Sequence, residues 1–218
     1  DIRGLLCIGE EANLPAAFEN VPRAGPSGYD GQQYAALATD PLLRDPETAQ
    51  ALDAPHYRAT RVLVPLLAWV LALGRAAPAI VAYQLLCWGL GLGAVFLVAR
   101  WLTSEGRSAW WALPLVGSAG LVASIIRSTP DAAALCLVLA ALFLHARGHF
   151  APALAVAAAA VLARETSYLA VVAITFEEIR RRRPSRAAAP APAGTDVPCS
   201  AQIPPSRRCP PDALRAVP

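Results

Sequence analysis

Residues 28–34 (GYDGQQY) contain the side chains that are best suited to chemistry in this chain. Asp30 follows Tyr29 and precedes Gln32 by two positions, ahead of a long series of apolar segments. A carboxylate in such a place can act as a general base and take the proton of an acceptor hydroxyl. Glycine and aspartate are also the residues of a tight turn, so a turn without any chemistry explains the same motif.

Four more charged residues interrupt the apolar part of the chain, namely Arg127, Asp131, Arg164 and Glu165. Arginine binds phosphate through a planar, two-pronged guanidinium group. Ionisable residues at membrane depth indicate a site by default. Simpler explanations stay open: the arginines can mark helix ends, Arg164 can pair with its neighbour, and Asp131 can belong to a helix start. No metal-ligand set is predicted, because the five cysteines share no metal-binding spacing.

These residues need a scaffold, and the composition indicates a membrane protein. Hydrophobic residues form 56% of the chain and charged residues 16%, whereas soluble domains carry about 25% charged residues. Residues 76–99 and 108–126 are free of charge and long enough to cross about 30 Å of hydrocarbon. Shorter apolar runs cover 62–74, 132–144 and 151–163. The sequence therefore predicts an all-α, polytopic transmembrane helix bundle that sits in a lipid bilayer.

Three regions follow from this patterning. Residues 1–60 are predicted to be an extracytoplasmic loop region with short surface helices, one starting at Pro46 behind an aspartate N-cap. Residues 61–178 form the helix bundle. Residues 179–218 are a basic, Pro/Ala/Arg-rich tail that we expect to be disordered. Arginine runs beside membrane segments are topology signals, so no nucleic-acid partner is expected.

The arginines also predict which segments share a side of the membrane. With residues 180–183 in the cytoplasm by the positive-inside rule, alternate crossings place 164–165 and 127–131 outside. The loop at 28–34 joins them there if residues 62–74 do not fully cross, and lies in the cytoplasm if they do. The Ala-, Pro- and Arg-rich, lysine-free composition is typical of a GC-rich bacterium, which indicates the bacterial inner membrane.

The order of several short motifs resembles the bacterial GT-C superfamily of polytopic membrane glycosyltransferases. The motifs are residues 29–32 (YDGQ), 40–41 (DP), 57–58 with 61–65, 128–131 (STPD) and 163–166 (ARET). The resemblance covers roughly residues 1–178. It departs at position 33, where an aromatic residue is expected, and it implies that the chain is the N-terminal part of such an enzyme, without its first membrane helix.

The resemblance implies a sugar donor linked to polyprenyl phosphate and an acceptor on the extracytoplasmic face. It makes Asp30 the catalytic base or a contact to a divalent metal, the one cofactor that it leaves open. It also implies substrate-binding roles for Tyr29, Gln32, Arg127, Asp131, Arg164 and Glu165. The alternatives are a non-catalytic polytopic membrane protein, such as a transporter or assembly subunit, and an inactive gene fragment.

Overall fold

The computed structural model describes residues 2–182, and its regular secondary structure is helical, with no β-strand among those residues. The α-helices in chain order are α1 (Asp30–Thr39), α2 (Pro46–Ala51), α3 (Pro55–Ala59), α4 (Leu63–Leu71), α5 (Ala76–Ser104), α6 (Leu113–Val116), α7 (Ala119–Ile126), α8 (Asp131–Ala146), α9 (Phe150–Ala163) and α10 (Tyr168–Arg182). Short 3₁₀ turns cover Ile2–Leu6, Ala16–Phe18, Ala109–Ala112 and Glu165–Ser167. The all-α prediction is confirmed for this part of the chain. The tail predicted to be disordered lies outside the described residues, except for 179–182, which continue α10.

The segment predicted as the Asp30 loop is the start of a buried helix. Gly28 has a φ of 67°, a turn conformation that glycine adopts easily, and Asp30 is then the first residue of α1. Helix α1 packs against α4 and α5, and Tyr34 and Leu37 are 1% and 0% exposed. The N-terminal residues close over the same core, for example with Phe18. Residues that sequence patterning assigned to an aqueous loop therefore hold part of the central packing.

The predicted surface helix at Pro46 is confirmed as α2. The Asp45 side chain accepts a hydrogen bond of 3.0 Å from the backbone N–H of Glu47, which makes it a true N-cap. Proline at the first helical position has no N–H to leave unpaired. Short-range signals of this kind depend only on neighbouring residues, so the sequence reveals them directly.

Of the described helices, α5 alone is long and apolar enough to cross a membrane. Its 29 residues extend about 43 Å. The first half lies in the core beside α1, where Ile80 and Tyr83 are 0% exposed, while the second half exposes Leu92 and Phe96. The second half therefore presents more of the apolar surface that could face lipid, although Leu85 in the first half is also exposed.

The expected second crossing over 108–126 is not one straight helix, because the chain bends within it. Ala109–Val116 and Ala119–Ile126 meet at 65°, as in a broken span or a re-entrant loop. Helix α6 ends at Gly117, and Ser118 takes an extended conformation before α7 begins. An uncharged run of the right length is thus divided by its own helix-stop residues.

Helices α8 and α9 form an antiparallel hairpin that packs on α5 and α10. Their packed surfaces are rich in alanine, including Ala141 of α8 and Ala157 of α9, which are fully buried in one cluster. Small residues allow helix backbones to approach closely. The hairpin brings the first residue of α8, Asp131, to the same end of the bundle as Arg164, which follows α9.

Candidate functional site

Charged side chains from distant parts of the chain meet at this end of the bundle. We call the group formed by Asp30, Asp53, Arg58, Arg61 and Glu165 the arginine–carboxylate cluster. It joins the start of α1 to the α3–α4 segment and to the junction of α9 and α10. Two arginines face three carboxylates, so the described part of the cluster is slightly acidic.

Arg58 connects two carboxylates. Its Nε and Nη2 atoms donate to the two oxygens of Asp53 at 2.9 and 2.8 Å, and Nη2 also donates to Asp30 Oδ1 at 3.0 Å. The Arg58 side chain is only 7% exposed. Hydrogen bonds from Arg58 lower the pKa of Asp53, and the bond to Asp53 raises the pKa of Arg58 further above its ordinary value. Arg58 is therefore a fixed cation that holds Asp30 in place from one side.

Arg61 makes the longest-range contact of the cluster. Its Nε and Nη2 atoms donate to the two oxygens of Glu165 at 2.8 and 2.6 Å, across 104 positions of sequence. The Arg61 side chain is 9% exposed and that of Glu165 is 46% exposed. This hydrogen bonding lowers the pKa of Glu165 to about 2. The two-pronged geometry ties the α3–α4 segment to the end of α9.

The Tyr34 hydroxyl bridges the two arginines. It accepts a hydrogen bond of 3.2 Å from Arg58 Nη1 and one of 3.0 Å from Arg61 Nη1. Burial raises the pKa of Tyr34, although both guanidinium groups act in the opposite direction. The Tyr57 hydroxyl accepts another bond from Arg61, whose guanidinium lies 4.7 Å from the Tyr57 ring centroid. Two phenols thus satisfy the arginine donors that the carboxylates do not reach.

Asp30 is the carboxylate of the cluster that is least constrained. Its side chain is 55% exposed, and within residues 2–182 only Oδ1 receives a hydrogen bond. Oδ2 is thus available to a substrate proton. Asp30 is also the first residue of α1, so its carboxylate lies at the N-terminal end of that helix. The arrangement suits a fixed carboxylate with one working oxygen.

Arg127 contacts the residues on either side of Asp30, with its guanidinium at Tyr29 and its backbone carbonyl at Gly31. It is exposed, it makes no ion pair within the described residues, and its guanidinium lies 4.3 Å from the ring centroid of Tyr29. The backbone approach here is close, since a Cβ at Gly31 would collide with the Arg127 carbonyl oxygen. Because the Arg127 guanidinium stacks on the Tyr29 ring by its flat face, the N–H groups at its edge stay accessible to an anion.

Asp131 and Arg164 form a separate ion pair with each other. Their side chains are 39% and 38% exposed, and Thr129 Oγ1 also donates to Asp131 Oδ2 at 3.1 Å. The pair lines two grooves of about 340 and 360 Å³, one on the α10 side of α8 and one on the α7 side. Arg164 and Glu165, neighbours in sequence, therefore turn to different partners rather than to each other.

Gln32 lies outside the cluster. Its Oε1 accepts a bond of 2.9 Å from the backbone N–H of Gly9, and its Nε2 donates to the Ser27 carbonyl at 3.1 Å. These bonds fix the N-terminal residues against α1. Gln32 thus has a scaffolding position within residues 2–182, and its expected role in binding substrate stays a prediction.

Most of the residues singled out from sequence lie at this end of the bundle, and four others complete the site. Sequence reasoning did not assign roles to Tyr34, Asp53, Arg58 and Arg61. Arg58 and Arg61 do lie in the motif at 57–58 and 61–65. Nothing in the local sequence, however, identifies their partners, which lie 28 and 104 positions away. Within residues 2–182, no three histidine, cysteine or acidic side chains come together to hold a metal ion.

Comparison of the chain with protein-family models, with curated proteins and with solved structures yields no match. A fold alone does not define a function. The function has to be argued from the chemistry of the site.

Proposed function

We propose that this protein is a GT-C-like glycosyltransferase of the bacterial inner membrane, which moves a sugar from a polyprenyl-phosphate donor to an acceptor hydroxyl on the extracytoplasmic face. One observation carries the proposal: the half-exposed carboxylate of Asp30 has an oxygen that accepts no hydrogen bond within residues 2–182, and the preceding residue, Tyr29, stacks against the exposed guanidinium of Arg127, which has no ion pair in the same part of the chain. A base and an anion-binding cation are the two groups that such a transfer requires.

The chemistry would proceed by displacement at the sugar. Asp30 Oδ2 takes the proton of the acceptor hydroxyl as its oxygen forms a bond to the anomeric carbon. The bond between that carbon and the phosphate oxygen breaks, and its electron pair leaves with the polyprenyl phosphate. Arg127 offsets the negative charge that develops on this phosphate. Arg58 keeps Asp30 oriented without occupying its second oxygen.

Arg127 is a better phosphate contact than Arg164. The charge of Arg164 is compensated by Asp131, whereas Arg127 has no carboxylate partner within the described residues. Tyr29 acts as a positioning residue because its ring supports the Arg127 guanidinium. Glu165 holds Arg61 and thereby supports the cluster from the far side.

A multi-pass arrangement is part of the proposal. Helix α5 supplies one crossing, and the bent pair formed by 109–116 and 119–126 is a candidate for a second. Helices α8 and α9 have 16 and 14 residues, about 24 and 21 Å, which is short for a 30 Å hydrocarbon layer. Short helices would bring the charged cluster down to the headgroup level, where a lipid-linked phosphate lies.

The proposal is tested by comparing two aspartates that share one partner. Asp30 and Asp53 both pair with Arg58 and both have side chains that are 55% exposed. In vesicles with a radiolabelled polyprenyl-phosphate sugar, Asp30→Asn should lower transfer by at least about 100-fold, the range for loss of a general base. Asp53→Asn should lower it less than about tenfold, while reducing thermal stability more, because an amide can accept only one of the two hydrogen bonds that Arg58 donates to Asp53, whereas Asp30 accepts one.

Retained transfer in Asp30→Asn would refute the catalytic role. Equal losses in the two variants would assign both carboxylates to structure, and an unsubstituted protein that transfers no sugar would favour a non-catalytic membrane subunit. Arg127→Gln provides an independent check, since it should raise the KM for the lipid-linked donor and leave the KM for the acceptor unchanged.

A further inference from the structure

The Asp131–Arg164 ion pair stands at the head of a groove between α8 and α10. The groove has a volume of about 340 Å³. Near the ion pair it is lined by Thr166, and further along by Val138 and Leu169. Its volume falls in the range of about 300–1,000 Å³ that is usual for small-molecule sites.

Polarity falls along this groove in one direction. Val138 lies seven residues after Asp131 on α8, about 10 Å further along the helix axis. On α10 the apolar wall continues beyond the groove as an exposed stripe at helical spacing, in which Leu169, Val172 and Phe176 are 72%, 43% and 67% exposed. A charged head followed by an apolar channel and stripe is the shape of an amphiphile site.

The head of the groove presents both signs of charge. The side chains of Asp131 and Arg164 are each more than a third exposed, so each can contact a second partner without leaving the first. A purely anionic headgroup would meet Arg164 but would also face the Asp131 carboxylate. A headgroup that carries an ammonium close to a phosphate matches both side chains at once.

We infer that this groove binds a phospholipid whose headgroup carries a primary ammonium two carbons from its phosphate, namely phosphatidylethanolamine. The phosphate lies against Arg164, the ammonium against Asp131, and an acyl chain follows Val138 onto the exposed stripe of α10. The inference shares with the proposed function only the membrane setting. Lipid binding and sugar transfer can therefore succeed or fail independently.

Three lipids with different headgroups distinguish the contribution of the phosphate from that of the primary ammonium. Native mass spectrometry of the detergent-solubilised protein, titrated with dioleoyl phosphatidylethanolamine, phosphatidylglycerol and phosphatidylcholine, reports their relative affinities. Phosphatidylglycerol keeps the phosphate and lacks the ammonium, and phosphatidylcholine has an ammonium without N–H donors. Phosphatidylethanolamine should bind about tenfold more tightly than either, which equals about 1.4 kcal/mol.

Variants assign the effect to named side chains. Asp131→Asn should abolish the preference for phosphatidylethanolamine over phosphatidylglycerol, and Arg164→Gln should weaken the binding of all three lipids. Val138→Trp fills the groove without touching the ion pair and should also weaken the binding of all three lipids. Arg147→Gln, at the other end of α8, is the matched control and should leave binding unchanged.

Equal binding of the three lipids overturns the inference, as does a preference for phosphatidylethanolamine that survives Asp131→Asn. Circular dichroism on each variant shows that it is folded, and Val138→Trp tests the groove even if a charge variant unfolds. The Asp30→Asn variant separates the two proposals, because it should lose sugar transfer and keep the lipid preference.

Discussion

The ion pair between Arg61 and Glu165 makes a quantitative prediction about acid stability. Replacing Glu165 by Gln keeps the shape of the side chain and removes its charge. In the folded protein, hydrogen bonding to Arg61 holds the pKa of Glu165 at about 2, below the ordinary 4.5. The charged carboxylate therefore stabilises the fold at every pH at which it is also ionised in the unfolded chain.

The magnitude follows from the pKa and from exposure. A fall from 4.5 to about 2 corresponds to about 3 kcal/mol, at about 1.4 kcal/mol per pH unit. The Glu165 side chain is 46% exposed, so solvent screening reduces this contribution. We expect Glu165→Gln to lower the free energy of unfolding at pH 7 by about 1–2 kcal/mol. For a chain of this size that is about 3–6 °C in Tm.

The pH dependence distinguishes this mechanism from a general loss of packing. A depressed folded-state pKa contributes stability above pH 4.5, and the contribution disappears as pH falls from 4.5 through about 2. Thermal unfolding of the detergent-solubilised protein, followed by circular dichroism, should show the full Tm difference at pH 6. The difference should shrink steadily between pH 4.5 and pH 2.5.

The control is Glu11→Gln, since Glu11 is exposed and makes no ion pair within the described residues. Its Tm should match that of the unsubstituted chain across the whole range. A Glu165→Gln difference that stays constant from pH 6 to pH 2.5 would refute the electrostatic explanation. An unchanged Tm at pH 7 would show that the pair contributes nothing.

Two more predictions rest on single contacts, and a third rests on the proposed topology. Tyr34→Phe removes the acceptor of two buried guanidinium groups and should cost about 2–3 kcal/mol in chemical denaturation, and a loss under 0.5 kcal/mol would contradict the bridging role. Gly31→Ala forces a collision with a backbone carbonyl at the end of α7 and should destabilise the protein by about 1–3 kcal/mol. The control, Gly89→Ala, meets nothing within 4 Å and should stabilise α5 by up to about 1 kcal/mol. Equal effects of the two substitutions would argue against the close approach at Gly31. In a cysteine-free background, Asn20→Cys should react with an impermeant maleimide from outside the cell and Arg147→Cys only after lysis, and labelling of both from one side would exclude the proposed topology.

The helices that the sequence predicted correctly are the ones with local signals. Asp45 caps the start of α2 with its side chain, and Pro130 followed by Asp131 in the first turn marks the start of α8. Apolar runs of the right length located α5, α8 and α9. These features depend on neighbouring residues, and no long-range contact alters them.

The remaining features depend on contacts that the sequence does not display. Helix α1 is rich in alanine and has weak apolar contrast, so its burial against α4 and α5 comes from tertiary packing. Arg58 and Arg61 look like ordinary interfacial arginines until their distant carboxylates are known. The bend after Val116 is set by Gly117 and Ser118, residues that also occur inside straight membrane helices.

The 104-residue separation of Arg61 and Glu165 has a consequence for biogenesis. A ribosome that has just released α4 has made Arg61, but its partner carboxylate emerges only after α5 to α9 have been synthesised. During that interval a cation that is later almost fully covered must stay hydrated. We therefore expect the N-terminal segment to dock only once the α8–α9 hairpin has formed, so that Asp30, Arg58 and Arg61 come together at a late stage of synthesis.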